Sequence, residues 1–298
     1  MMKRVCIIAS SLFLLFAILI GFKLAGAQTV LAAKATTVIS ANFLEYFKVR
    51  NSEATQTKYK DGIILLTPDE KNKDGAITLN DKIDFTKDFQ LTGAVNIGGK
   101  SEKGGGADGI GFAFHQGGSH AIGQGGANLG IGGLKNTIGF KIDTFRNGTK
   151  ASSSRMLGWE ADPADKSFNQ AIYGNSPFGA FVTTDHQGWA TMVRGTNQNI
   201  EFATIKITSC GTIDCLNPGI MTNLSNQVGG EFMDFTIMYD ANTKTMTVKY
   251  GMYIWQHSFE NEVREDAPYY AFSITASTSE QHNQHEFKIE RFTYTAEQ

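Results

Sequence analysis

Apolar and polar residues alternate with a period of two along several stretches of the chain. Ile138, Phe140 and Ile142 alternate with Gly139, Lys141 and Asp143, as in a strand with one face in a core, because successive strand side chains point to opposite faces. Asp143 is therefore expected to point away from that core. Phe89, Leu91, Val95 and Ile97 alternate with Gln90, Thr92, Ala94 and Asn96 before a turn at Gly98-Gly99. Met233, Phe235, Ile237 and Tyr239 alternate with Asp234, Thr236 and Met238. After Asp240-Ala241-Asn242, Met246, Val248 and Tyr250 alternate with Thr245, Thr247 and Lys249, which predicts a hairpin. Phe287 and Ile289, between Lys288 and Glu290, predict a last strand near the C-terminus. Long amphipathic helical patterns are absent, so the expected fold is an all-β sandwich of antiparallel sheets.

Three oxygens gather where the strand ending at Asp143 gives way to a polar loop: the Asp143 carboxylate, the Phe145 backbone carbonyl and the Asn147 side-chain oxygen. Oxygen donors without His or Cys suit a hard cation, and calcium in particular.

Met1 to Ala27 carries Lys3 and Arg4, an apolar run from Val5 to Phe22 and the small-x-small triplet Ala25-Gly26-Ala27, the layout of a cleavable signal peptide. Leu31-Ala32-Ala33 offers a second cut. The apolar run is nearly long enough to span a bilayer, so an uncleaved anchor is the competing reading. No Cys follows the run directly, which argues against a bacterial lipid anchor. Residues 28–40 read as a linker or an entering strand, and residues 41–298 as one domain able to bury a sizeable core. After cleavage no membrane insertion is expected, and the protein belongs outside the cell, secreted or on its surface.

The formal net charge is −2 and Lys and Arg do not cluster, so the footprint of a nucleic-acid binder is missing and neutral partners are expected. Cys6 leaves with the signal. Cys210 and Cys215 could close a short loop, and an oxidising exterior favours a disulfide over two surface thiols. Glycines crowd the region from Gly98 to Gly139, but its flanks read as strands and no Walker-type sequence occurs. Turns with positive φ and close backbone approach to a ligand explain them better than a phosphate cradle. His282 and His285 lie in a Ser/Glu/Gln/Asn-rich stretch and read as a solvated loop rather than a zinc site. No Gly-x-Ser-x-Gly elbow is present.

Ala107-Asp108-Gly109, the glycine-rich loop and Asp143-Thr144-Phe145-Arg146-Asn147, in that order, resemble the L-type (legume-type) lectins, in particular the lectin-like modules of Gram-positive bacterial surface proteins. The similarity continues through Asp162-Pro163, Phe178 to Thr184, Tyr270 to Thr278 and His285 to Phe292, and so covers most of the mature chain. It implies a concanavalin-like jelly roll with neighbouring terminal strands. It also implies carbohydrate binding through Asp108, approximately Gly126, Phe145 and Asn147, and a cis peptide between Ala107 and Asp108. The implied calcium ligands are Asp143, the Phe145 carbonyl, Asn147 and Asp162, with Asp165 as the substitute for Asp162. Plant members place a Glu two residues before the calcium Asp to reach a transition metal; Lys141 stands there, so calcium alone is expected. The resemblance thus implies a calcium-dependent, non-catalytic lectin or adhesion protein whose partners are glycans or glycoproteins. Two alternatives stand beside it. Glu160, Asp162 and Asp165 have nearly the carboxylate spacing of sandwich-fold glucanases, although Pro163 points to a loop, and an adhesion module with an inactive sugar site fits the same fold.

Overall fold

Seventeen strands run through the residues that the computed structural model describes, which are 34–50, 57–145, 147, 177–193, 222–223 and 229–297. The first six are β1 (Ala35–Ile39), β2 (Phe47–Arg50), β3 (Lys58–Lys60), β4 (Ile63–Thr67), β5 (Asp74–Leu79) and β6 (Ile83–Asp84). Next come β7 (Phe89–Asn96), β8 (Gly109–His115), β9 (Ile138–Asp143), β10 (Phe178–Thr184), β11 (Ala190–Val193) and β12 (Thr222–Asn223). The last five are β13 (Met233–Asp240), β14 (Thr245–Tyr250), β15 (Tyr253–Ser258), β16 (Tyr269–Ser277) and β17 (His285–Thr295). Among the described residues helix is confined to the four-residue α1 (Phe43–Tyr46) and three 3-10 turns.

The strands form two antiparallel sheets. One has eight strands in the order β15-β14-β13-β7-β17-β4-β3, with β1 added beside β17. The other has nine, in the order β11-β10-β9-β8-β16-β5-β2, with β12 beside β10 and β6 beside β16. Chain ends meet in the first sheet, where Ala35 to Ile39 pair with Thr295 to Arg291. The residues from Ala35 to Gln298 cluster as one compact unit.

The alternating positions explain why the sheets stack. Phe235, Ile237 and Tyr239 of β13 and Met246, Val248 and Tyr250 of β14 are all buried, and the two strands form the expected hairpin. Thr243 N–H donates to the Asp240 side chain at 2.9 Å in the turn. Opposite them, Phe112 of β8 stacks on Phe235 with ring centroids 4.4 Å apart. Ile138, Phe140 and Ile142 join the same core. Such interdigitation of two inner faces is what holds an aligned sandwich together.

A third layer corrects the expectation that β9 has one solvated face. Gly139, Lys141 and Asp143 do point away from the inter-sheet core, yet every residue of β9 is buried. The glycine-rich segment between β8 and β9 folds back over the outer face of the nine-stranded sheet. There Ile131 and Leu134 pack with Ala113, Phe178, Ala180 and Val182 in a second apolar cluster. The approach is close enough to demand glycine: a Cβ on Gly111 would lie 2.0 Å from the Leu129 carbonyl oxygen. Much of the glycine content thus serves packing of the loop on its own sheet rather than approach to a ligand.

The His282–His285 stretch also differs from the expected solvated loop. His285 opens β17 fully buried and shares a 2.7 Å hydrogen bond with Thr67 Oγ1. Burial pushes its pKa down to about 3, and that of the equally buried His115 to about 4. Both folded-state values lie below the unfolded value, so each histidine favours folding fully above about pH 6.5, and that stability is lost as pH falls toward the folded pKa. Urea unfolding between pH 6.5 and 4.5 should show stability falling by up to about 1.4 kcal/mol per pH unit for each histidine. His285→Gln should flatten that slope; an unchanged slope would mean that His285 is protonated in the folded protein.

Candidate functional site

One end of the nine-stranded sheet gathers the predicted residues. Gly109 of β8 faces Asp143 of β9, and Ser277 of β16 faces Gly109 on its other side. Gly109 has φ 142°, and a Cβ on it would lie 2.2 Å from the Ile142 carbonyl oxygen and 3.0 Å from Asp143 Cα. Only glycine lets the two strands approach here, and this places Asp108, just before β8, against the end of β9.

Backbone bonds fix Asp108 on both sides. Its N–H donates to the Ser277 carbonyl at 2.9 Å, and its carbonyl accepts from Thr144 N–H at 2.8 Å. The peptide joining it to Ala107 is cis, as the resemblance implied. Its carboxylate, only 3% exposed, accepts from Ser279 Oγ at 2.8 and 3.1 Å. Ser277 reaches the third predicted residue, since its hydroxyl donates to the Gly126 carbonyl at 3.2 Å. Gly126 begins a 3-10 turn with φ 61°, and a Cβ there would meet nothing within 4 Å.

The Asp143 carboxylate, 1% exposed, accepts from Phe145 N–H at 3.0 Å through one oxygen and from Lys141 Nζ at 2.8 Å through the other. Lys141 is equally buried, and its ammonium lies 5.0 Å above the Phe178 ring, where the ring face favours a cation. Phe145 and Asn147 follow, both half-buried. Among the described residues no three His, Cys, Asp or Glu side chains converge. The donor chemistry of Asp143, the Phe145 carbonyl and Asn147 fits a hard divalent ion.

Several predicted positions lie outside the described residues: Asp162, Asp165, Glu160, Cys210, Cys215 and the stretch from Met1 to Ala27. Sequence patterns missed the brace that Ser277 forms and the Lys141–Asp143 pair, since neither has a local signature.

Residues 38–291 match the sequence model of the legume lectin beta-barrel domain. The chain belongs to the legume lectin family. Along 274 residues, 91% of the chain, it is 34% identical to a protein named serine-rich adhesin for platelets from Staphylococcus aureus. It spans 11% of that relative's length. Among solved structures, winged bean acidic lectin complexed with methyl-alpha-D-galactose superposes with a TM-score of 0.55 at 15% identity, covering 89% of this chain and 100% of the lectin. The VIP36 exoplasmic/lumenal domain, in a form bound to Ca2+ and Man3GlcNAc, gives 0.51 at 14% identity, covering 88% and 89%. These two likenesses establish the jelly-roll fold. The family is that of the legume lectins and the staphylococcal relative is named an adhesin, so the glucanase reading of Glu160, Asp162 and Asp165 is set aside.

Proposed function

We propose that the domain is an exported, calcium-dependent lectin that binds glycans or glycoproteins in adhesion, without catalysis. The observation that carries this is the close pairing of Gly109 with Asp143. It sets a carboxylate able to accept from sugar hydroxyls beside a carboxylate able to hold a cation. Asp108 is the sugar acceptor: vicinal hydroxyls of a pyranose can donate to a fixed carboxylate, and the clamps on its backbone remove most of the entropy lost on binding. Gly126, open on the side where a side chain would stand, offers its backbone amide, and the Phe145 ring offers an apolar face to the sugar's C–H side. Calcium, when bound, would be held by Asp143, the Phe145 carbonyl, Asn147 and Asp162, and would fix the loop that carries Asn147 in its binding position. Asn147 would then turn its oxygen to the ion and its NH2 to the sugar.

The family relation and the name of the staphylococcal relative support adhesion to a cell-surface glycoprotein, outside the cell. An ion bound by the folded state alone stabilises it by mass action, by about 2.7 kcal/mol at one hundred times its Kd. Chelation should therefore lower both the melting temperature and glycan binding. Melting curves and glycan binding, each with calcium and with EDTA, test this; two sets of identical curves would remove calcium from the account.

Lys141 makes the site a one-metal site. Its ammonium, paired with Asp143 at 2.8 Å, cannot ligate a second metal ion. Titration of manganese into calcium-loaded protein should give no second binding event, and stoichiometric manganese uptake would contradict this. Unreduced peptide mass spectrometry of exported protein should also show Cys210 joined to Cys215; two free thiols would argue against an oxidising exterior.

A further inference from the structure

Two loops meet beside Asp108, and one buried side chain joins them. The loop between β7 and β8 leads straight into Asp108. The loop between β16 and β17 carries Ser279, whose hydroxyl holds the Asp108 carboxylate at 2.8 and 3.1 Å. Asn283 stands in this second loop and is only 1% exposed. Its Nδ2 donates to the Lys100 carbonyl at 2.8 Å, and its Oδ1 accepts from Lys100 N–H at 3.2 Å. One amide thus satisfies both peptide groups of one residue, as a partner in a neighbouring strand would.

The first loop is built around that amide. A Cβ on Gly98 would lie 2.2 Å from Asn283 Oδ1, and one on Gly106 would lie 2.7 Å from its Nδ2, so the chain grips the amide on two sides where no side chain stands. His282 N–H continues the join by donating to the Gly105 carbonyl at 2.9 Å. Lys100 Nζ and His282 Nδ1 also meet Asp69 at 2.6 and 2.7 Å, but these side chains are partly exposed, and ion pairs in contact with water contribute little. The buried amide carries the join. On the Ser279 side, Ser279 N–H donates to the Gln281 carbonyl at 3.0 Å and Asn72 N–H donates to the Ser279 carbonyl at 3.1 Å. Those bonds shape the second loop and tie it to the β4–β5 connection, which leaves Asn283 as its tie to the chain that enters Asp108.

We infer that Asn283 is a positioning residue for sugar recognition. It sets Ser279 against the chain that enters Asp108, and so aims the Asp108 carboxylate. Buried as it is, Asn283 makes no contact with a bound sugar. The inference rests on the lectin reading, and its consequence is that glycan affinity depends on a residue that no glycan touches.

An array of neutral mono- and oligosaccharides, probed in calcium, supplies the strongest-bound glycan for titration. It is titrated into the unmodified protein, Asn283→Asp, Ser279→Ala, the protein carrying both substitutions, and Asp108→Ala, with a calcium titration and a melting curve for each. Asn283→Asp keeps the shape of the side chain but sets an acceptor against the Lys100 carbonyl. Asn283→Ala, which removes the amide without adding a charge, is measured beside it in case the first variant does not fold. Each should weaken glycan binding about tenfold, the effect of a lost hydrogen bond that leaves buried groups unsatisfied, and leave calcium affinity within about twofold. In the Ser279→Ala background the Asn283 substitution should add almost no further loss, because residues that act through one another are not additive. Additive losses, unchanged glycan binding, an equal loss of calcium affinity, or two Asn283 variants that do not fold would each overturn the positioning role. If Asp108→Ala still abolishes binding in that case, the lectin reading stands without it. No glycan bound by the unmodified protein overturns both.

Discussion

Asp143→Ala is expected to destabilise the domain by about 3–5 kcal/mol even in chelator, because it removes the carboxylate paired with the buried Lys141 ammonium. That corresponds to roughly 6–20 °C in melting temperature for a domain of this size. The pair has 2.8 Å between Lys141 Nζ and Asp143, and both side chains are 1% exposed. The Phe178 ring does not replace the carboxylate, since an exposed cation–ring contact contributes about 0.5–1 kcal/mol and a desolvated one about 2. Replacing both members together, as Lys141→Met with Asp143→Leu, should recover most of this loss, because apolar groups of similar volume often match a buried ion pair. The doubly substituted protein should still lack any rise in melting temperature on adding calcium. Melting curves of the three proteins with and without EDTA provide the check. An Asp143→Ala protein as stable as the unmodified one in EDTA would show that the pair is not buried in solution.

Asp108→Ala is expected to abolish glycan binding, by about 100-fold or more, while leaving the calcium-dependent rise in melting temperature in place. Two hydroxyls donating to one carboxylate are lost together, and hydrogen bonds to charged groups contribute about 1.5–3 kcal/mol each. Ser279 holds the carboxylate at 2.8 and 3.1 Å, so Ser279→Ala should weaken binding less, through a carboxylate that is no longer held in place. Glycan binding retained in Asp108→Ala would place the sugar elsewhere on the domain.

The sandwich was legible because β13 and β14 alternate between buried and more accessible positions along most of their length, which is what a period-two pattern reports. β9 was legible only by half. Ile138, Phe140 and Ile142 marked its inner face, but Lys141 and Asp143 looked solvated because no local pattern reveals that they are buried as an ion pair beside the Phe178 ring. His285 was misread for the same reason: a polar neighbourhood in sequence became a strand start packed against Thr67. At the site, Ala107-Asp108-Gly109 stood out through the lectin resemblance, and the close approach to β9 that requires Gly109 emerged only from the strand pairing. The Ser277 brace between Asp108 and Gly126 depends on strand register and could not be seen before the sheet was assembled.

Calcium titration by calorimetry most directly tests the claim that sugar and cation share one site with divided roles. It should be run on the unmodified protein, on Asp108→Ala and on the Lys141→Met, Asp143→Leu protein. The expected result is one calcium bound with similar affinity by the first two and none by the third. Equal calcium affinity in all three, or no calcium bound by any, would contradict the assignment of Asp143 as the residue that anchors the ion.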